Sequence, residues 1–123
     1  MLALGRHLIL ELKESPYEVL DNLDFIEETL VNAAKSAGLT VVGKTFHKFA
    51  PQGVTGVVAI AESHICIHTW PEYGYAAVDI FTCGEAFNPH DTADIIVSKL
   101  SSTNSSRTEI PRGIAVQPSE ART

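Results

Sequence analysis

The chain has 123 residues, 45% hydrophobic and 20% charged, with a formal net charge of −6. That length suits one domain with a modest core and is too short for two. The acidic balance and the lack of a Lys/Arg block argue against nucleic acid and anionic membrane surfaces, and no apolar stretch approaches the ~20 residues that span a bilayer.

A cationic ligand suits this charge better. The opening MLALGRHLILEL is interrupted by Arg6, His7 and Glu11, so no targeting peptide is read there. Cys66 and Cys83 come without secretory context, and reduced thiols in a cytoplasm are expected.

Residues 5–13 alternate Leu8, Leu10 and Leu12 with His7, Ile9 and Glu11, which predicts a first strand ended by Ser15-Pro16. Over residues 22–37, Phe25, Ile26, Leu30, Ala33 and Ala34 recur at helical spacing, with Glu27 and Glu28 outside and Gly38 as a stop. The β-branched and aromatic stretch 39–49 predicts a strand, and Pro51 and Gly53 a loop. Residues 54–61 are almost continuously apolar, which predicts a central strand covered on both faces. Strands at 65–69 and 75–82 follow, joined by the hairpin connection Pro71-Glu72-Tyr73-Gly74. A second helix is expected over 93–100, after Asn88-Pro89, capped by Asp91 or Thr92. Beyond Ser101 the composition turns to Ser, Thr, Asn and Pro. A last strand is expected within 107–116, making one domain of 1–116, and a disordered tail over 117–123.

Parity sorts the two hairpin strands. Ile65 and Ile67 share one face with Ala76, Val78 and Ile80. His64, Cys66 and His68 share the other with Tyr75, Asp79, Phe81 and Cys83. The fold class is therefore α/β in the α+β sense, a two-layer sandwich with a mainly antiparallel sheet and two helices on its aliphatic face. The second face is too apolar to stay wet, so an identical sheet is expected to pack on it in a symmetric dimer with the site at the rim.

The segment AESHICIHTW, residues 61–70, puts Glu62, Ser63, His64, Cys66 and His68 into this strand, where unpaired polar groups cost free energy. Each has an ordinary reading. Cys66 between isoleucines suits an inert core thiol, and isolated His7, His47 and His90 suit a surface. Ser63 lacks a G-x-S-x-G elbow, so a hydrolase nucleophile has no support. His64, Cys66 and His68 with Asp79 or Glu72 could form a zinc site, although the paired spacings of such sites are absent. A non-catalytic dimer binding a small molecule between its sheets also fits.

The block ESHICIHTWPEYGYAAVDIFTCG, residues 62–84, resembles the short prokaryotic form of S-adenosylmethionine decarboxylase. LGRHLILEL, TFHKF at 45–49 and GVTGVV at 53–58 extend the likeness across roughly residues 4–89. Such proteins are made as proenzymes, and the resemblance implies self-cleavage between Glu62 and Ser63 into a β chain 1–62 and an α chain 63–123. Ser63 would become a pyruvoyl group, the covalent cofactor, and form a Schiff base with substrate. His68 would accept a proton during processing, and Cys83 would donate one in decarboxylation. Thr55 stands where the family often has serine; it keeps the hydroxyl and adds a methyl that stiffens χ1.

By the same resemblance, Glu72 would bind the ribose hydroxyls, and Phe49 and Trp70 would flank the adenine. No metal is implied. The partners would be S-adenosylmethionine and a second copy of the chain pair, with no nucleic acid and no membrane. The product would be the aminopropyl donor for spermidine. A related pyruvoyl-dependent amino acid decarboxylase is the alternative that the scaffold allows.

Overall fold

Alternation of leucines along the first strand, repeated by aliphatic residues along three others, gives a sheet with one greasy face for helices to cover. The computed structural model describes residues 3–83 and 87–114. In chain order these form β1 (Ala3–Lys13), α1 (Tyr17–Leu20), α2 (Leu23–Ser36), β2 (Val41–Lys48), β3 (Val54–Ile60) and β4 (Ser63–Trp70). A 3₁₀ turn (Pro71–Tyr73), β5 (Tyr75–Cys83), α3 (Pro89–Lys99) and β6 (Asn104–Ile114) follow. The six strands lie in the order β2-β3-β4-β5-β1-β6, with every neighbouring pair antiparallel.

The core lies on the helix side of the sheet. Leu8, Leu10, Leu12, Val58, Ile65, Ile67, Ala76, Val78 and Ile80 meet Ile26, Leu30, Ala33 and Ala34 of α2 and Ala93 and Ile96 of α3, all buried. Burying each of the larger aliphatic side chains contributes roughly 1.5–3 kcal/mol. Asn22 caps α2 by accepting the Phe25 N–H at 3.0 Å. At the other end Gly38 takes φ +78°, a conformation that glycine tolerates, and the next N–H, that of Leu39, reaches back to the Ala34 carbonyl at 3.0 Å.

Several sequence expectations shift. The second long helix begins at Pro89, not at 93, and Asn88 rather than Asp91 or Thr92 caps it by accepting the His90 N–H at 3.0 Å. Proline at the first helical position forfeits only an N–H that would be unpaired anyway. Pro16 likewise precedes a one-turn helix, α1, so the α-helices number three among the described residues. The last strand starts at Asn104, because pairing with the whole of β1 makes up for its polar composition. Residues 115–123, with the expected tail, lie outside the described residues. No helix among the described residues is long and apolar enough to cross a membrane.

The second face of the sheet carries the polar parity set. In β3, Val54, Val58 and Ile60 are buried while Val57, on the polar face, is 38% exposed. Within one chain this strand is covered on one side only.

Candidate active site

The β4–β5 hairpin builds one end of the site. Its short connection pairs Trp70 with Tyr75, and the antiparallel register then carries Ser63 opposite Thr82. One step further along, the Glu62 carbonyl accepts a hydrogen bond from the backbone N–H of Cys83 at 2.9 Å. Ser63 has φ 154°, outside the usual range of an L-residue, and such backbone costs of order 1–3 kcal/mol. Its hydroxyl lies 3.1 Å from the Cys83 sulfur. The turn before it is tied to Thr40, which receives the Ala61 N–H on its carbonyl at 2.9 Å and gives its own N–H to Glu62 Oε1 at 3.4 Å. The Glu62–Ser63 peptide is thus strained and held by its carbonyl, with a hydroxyl and a thiol beside it.

The other end of β4 holds a second group. Thr55 and His68 are opposite each other in the β3–β4 ladder, with Thr55 Oγ1 3.1 Å from His68 Nδ1. They line a cleft of about 370 Å³ whose walls include Phe49, Gly53, Trp70 and Glu72. The Trp70 ring stacks on Tyr75 with centroids 5.4 Å apart and planes at 29°. The Tyr75 hydroxyl donates to the Glu11 carboxylate. Burial, then that hydrogen bond and the Glu11 charge, push the Tyr75 phenol up to about 12, so it remains a hydrogen-bond donor at any working pH.

Between the two groups lie His64, stacked on Phe81 at 5.7 Å, and half-buried Cys66 opposite Asp79. Burial, reinforced by the Asp79 charge, raises the Cys66 thiol, which suits an inert side chain. The zinc reading finds no donor set: among the described residues no three His, Cys, Asp or Glu side chains converge on a metal position.

The structure therefore sorts the eight sequence-derived residues into two sets. Glu62, Ser63 and Cys83 meet at one end, and Phe49, Thr55, His68, Trp70 and Glu72 meet at the other. It does not bring the sets together within one chain: five residue steps of extended strand separate Ser63 from His68, about 16 Å. The sequence reading missed the Cys83 N–H, although counting back along the hairpin from Trp70 and Tyr75 would have found it. It also missed the Tyr75–Glu11 contact, which pairs residues far apart in the chain and has no local signature.

A six-stranded antiparallel sheet backed by helices, with a strained strand end and an aromatic-walled cleft, is an architecture shared with a decarboxylase of known structure. The crystal structure of the adenosylmethionine decarboxylase from Aquifex aeolicus superposes with a TM-score of 0.88 at 37% sequence identity, covering 98% of this chain and 99% of that one. The chain belongs to the S-adenosylmethionine decarboxylase family, whose model matches residues 6–113. It is 50% identical over 119 residues to the S-adenosylmethionine decarboxylase proenzyme of Clostridium kluyveri, covering 97% of this chain and 94% of that relative. The proenzyme of Caldicellulosiruptor saccharolyticus is 52% identical over 118 residues, with 96% and 95% covered.

Proposed function

We infer that this chain decarboxylates S-adenosylmethionine as a two-fold homodimer, using a pyruvoyl group made from Ser63 after cleavage of the Glu62–Ser63 bond. The observation that carries this reading is the state of that peptide: positive φ at Ser63 and a Cys83 N–H on the Glu62 carbonyl at 2.9 Å. An N-to-O acyl shift is uphill for a relaxed amide. Strain raises the starting amide, and a donor already aimed at the carbonyl oxygen stabilises the oxyanion formed when Ser63 Oγ attacks. A base then removes the Ser63 α-proton and the Glu62 carboxylate leaves. Water hydrolyses the resulting dehydroalanine to the ketone and ammonia, ending one chain at 62 and starting the other at 63.

The residues around Ser63 fit the finished group: the neighbour 3.1 Å from its hydroxyl is the small Cys83 thiol. The pyruvoyl group supplies a carbonyl that takes up the substrate α-amino group and drains the electron pair left by departing carbon dioxide. Cys83, 3.1 Å from Ser63 Oγ, holds the proton for the substrate α-carbon. Phe49 and Trp70 flank the adenine, Glu72 accepts from the ribose hydroxyls, and aromatic faces suit the sulfonium cation.

The base is His68. If its Nδ1–H donates to Thr55 Oγ1, Nε2 is left as the free lone pair. Because His68 lies about 16 Å along the strand from Ser63, the imidazole that serves Ser63 is the partner subunit's His68. Two sheets packed through their polar faces lie about 10 Å apart, and a two-fold axis reverses one β4 over the other. The cleft of one protomer then faces the strand end of its partner, and Val57 is buried. The product is decarboxylated S-adenosylmethionine, the aminopropyl donor for spermidine. Mass measurement under denaturing conditions tests the core of this reading. Wild type gives two fragments that break before residue 63, and Ser63→Ala gives one whole chain that releases no carbon dioxide from carboxyl-labelled substrate. Active preparations made of an unbroken chain would overturn it.

A further inference from the structure

We propose that Asp21, in the short link between α1 and α2, is a positioning residue for substrate binding: it fixes the loop 49–53 and, through it, Phe49 on the cleft wall. The proposal rests on the cleft being the nucleoside-binding half of the site.

One carboxylate oxygen of Asp21 does two jobs. Its Oδ1 accepts the Gly53 N–H at 2.9 Å and also pairs with Lys48 Nζ at 2.9 Å. Both partners act on Phe49. The Gly53 carbonyl accepts the Phe49 N–H at 2.8 Å, closing the loop on itself, and Lys48 Nζ reaches the Phe49 carbonyl at 3.3 Å. Asp21 thus stands behind both backbone bonds that set where Phe49 begins and leaves the wall.

The loop needs such a brace because its own packing is thin. Phe49 is 47% exposed, and residues 50 and 51 are exposed as well. Gly53 has φ +110°, and a Cβ there would lie 3.2 Å from the Thr69 carbonyl, so no larger side chain can anchor this turn from within. The adjacent residue, Leu20, holds the opposite wall. Its carbonyl accepts from the Thr69 hydroxyl at 2.9 Å, and that hydroxyl accepts the Val54 N–H at 2.8 Å, one residue before Trp70. The α1–α2 link therefore ties the Phe49 wall and the Trp70 wall to a single point in the helical layer, and the gap between the two rings depends on it. The Gly53 N–H and then the Lys48 ammonium hold the Asp21 carboxyl below the usual carboxylate range, so the brace stays charged wherever the enzyme works.

The test compares steady-state decarboxylation and the extent of self-cleavage for Asp21→Ala, Asp21→Asn, Lys48→Met and Phe49→Ala. Binding is followed through Trp70, the single tryptophan of the chain. Asp21→Ala is expected to raise KM about tenfold, with kcat within about twofold and cleavage complete, since only ground-state binding is loosened. Asp21→Asn keeps an oxygen for Gly53 and falls between it and wild type. A wild-type KM for Asp21→Ala, or a fall in kcat at constant KM, overturns the proposal. If Asp21→Ala does not fold, Lys48→Met decides: a KM raised by about threefold or more supports the brace, and a wild-type KM sinks it. Phe49→Ala separates the two levels. A raised KM there beside a flat Asp21→Ala removes only the role of Asp21, whereas no change in either removes the cleft reading itself.

Discussion

The two ends of β4 carry similar polar residues but use the chain in opposite ways. At Ser63 the backbone itself is the unusual feature: its φ is strained and the preceding Glu62 carbonyl is held by the Cys83 N–H. At His68 the ladder is regular, Thr55 and His68 pair in register, and the side chains make the contact. Ser63 and His68 are near neighbours in the sequence, yet an extended strand makes near neighbours distant in space. The motif reads as one cluster along the chain and folds as two separate groups of residues.

The strongest way to break that comparison is complementation. Ser63→Ala and His68→Ala should each be inactive alone. Co-expressed in equal amounts they should regain about a quarter of wild-type activity, because half of randomly paired dimers are mixed and each mixed dimer carries one intact site. A mixture as dead as its components would place both residues in one protomer's site.

Cys83→Ala sharpens the division within the Ser63 end. Alanine keeps the N–H on the Glu62 carbonyl and loses only the sulfur 3.1 Å from Ser63. Self-cleavage should go to completion while carbon dioxide release falls about 10²- to 10³-fold. A chain that stays whole would assign the thiol to processing. At the opposite end Thr55→Val removes the hydroxyl beside His68 Nδ1 and leaves the shape. The half-time of cleavage should lengthen about fivefold, the scale of one lost hydrogen bond, with Thr55→Ser restoring it. Unchanged cleavage would leave His68 oriented by something else.

Much of the comparison was legible in the sequence, and the failures have physical causes. Period-two alternation put Ile65, Ile67, Ala76, Val78 and Ile80 on one face, and all are buried. Pattern reading misjudged β6 because an edge strand needs hydrogen bonds from one neighbour and little apolar burial, so Asn104, Ser105 and Ser106 gave no hydrophobic signal. It read Asn88-Pro89 as punctuation when the pair is a cap and first turn. The division of the site was hidden for a different reason. Spacing gives the face a residue occupies, whereas separation along the strand becomes telling only when the chemistry demands contact.

The two ends are also fastened to the helical layer differently, and acid should reveal it. On β1, Arg6, whose ladder partner on β5 is Thr82, gives Glu109 two hydrogen bonds at 2.7 and 2.9 Å. His90 of α3 lies 3.0 Å from the same carboxylate and 3.1 Å from Arg107, which in turn meets Asp94. The Arg6 hydrogen bonds above all, against a smaller opposing effect of burial and with help from His90, bring the Glu109 carboxyl from 4.5 down to about 2. A carboxyl depressed in the folded state contributes stability that is present above its unfolded pKa and is lost as pH falls through its folded one. The contribution should therefore drain away between about pH 4.5 and 2. Because the side chain is 33% exposed, solvent and salt screen the pair. Glu109→Gln should thus lower Tm at pH 7 by only about 2–4 °C. The two melting curves should converge as pH approaches 2, since protonation then makes the wild-type carboxyl neutral as well. A Tm gap that stays constant across that range would mean that Glu109 acts through packing, and that the Cys83 end is not fastened by charge.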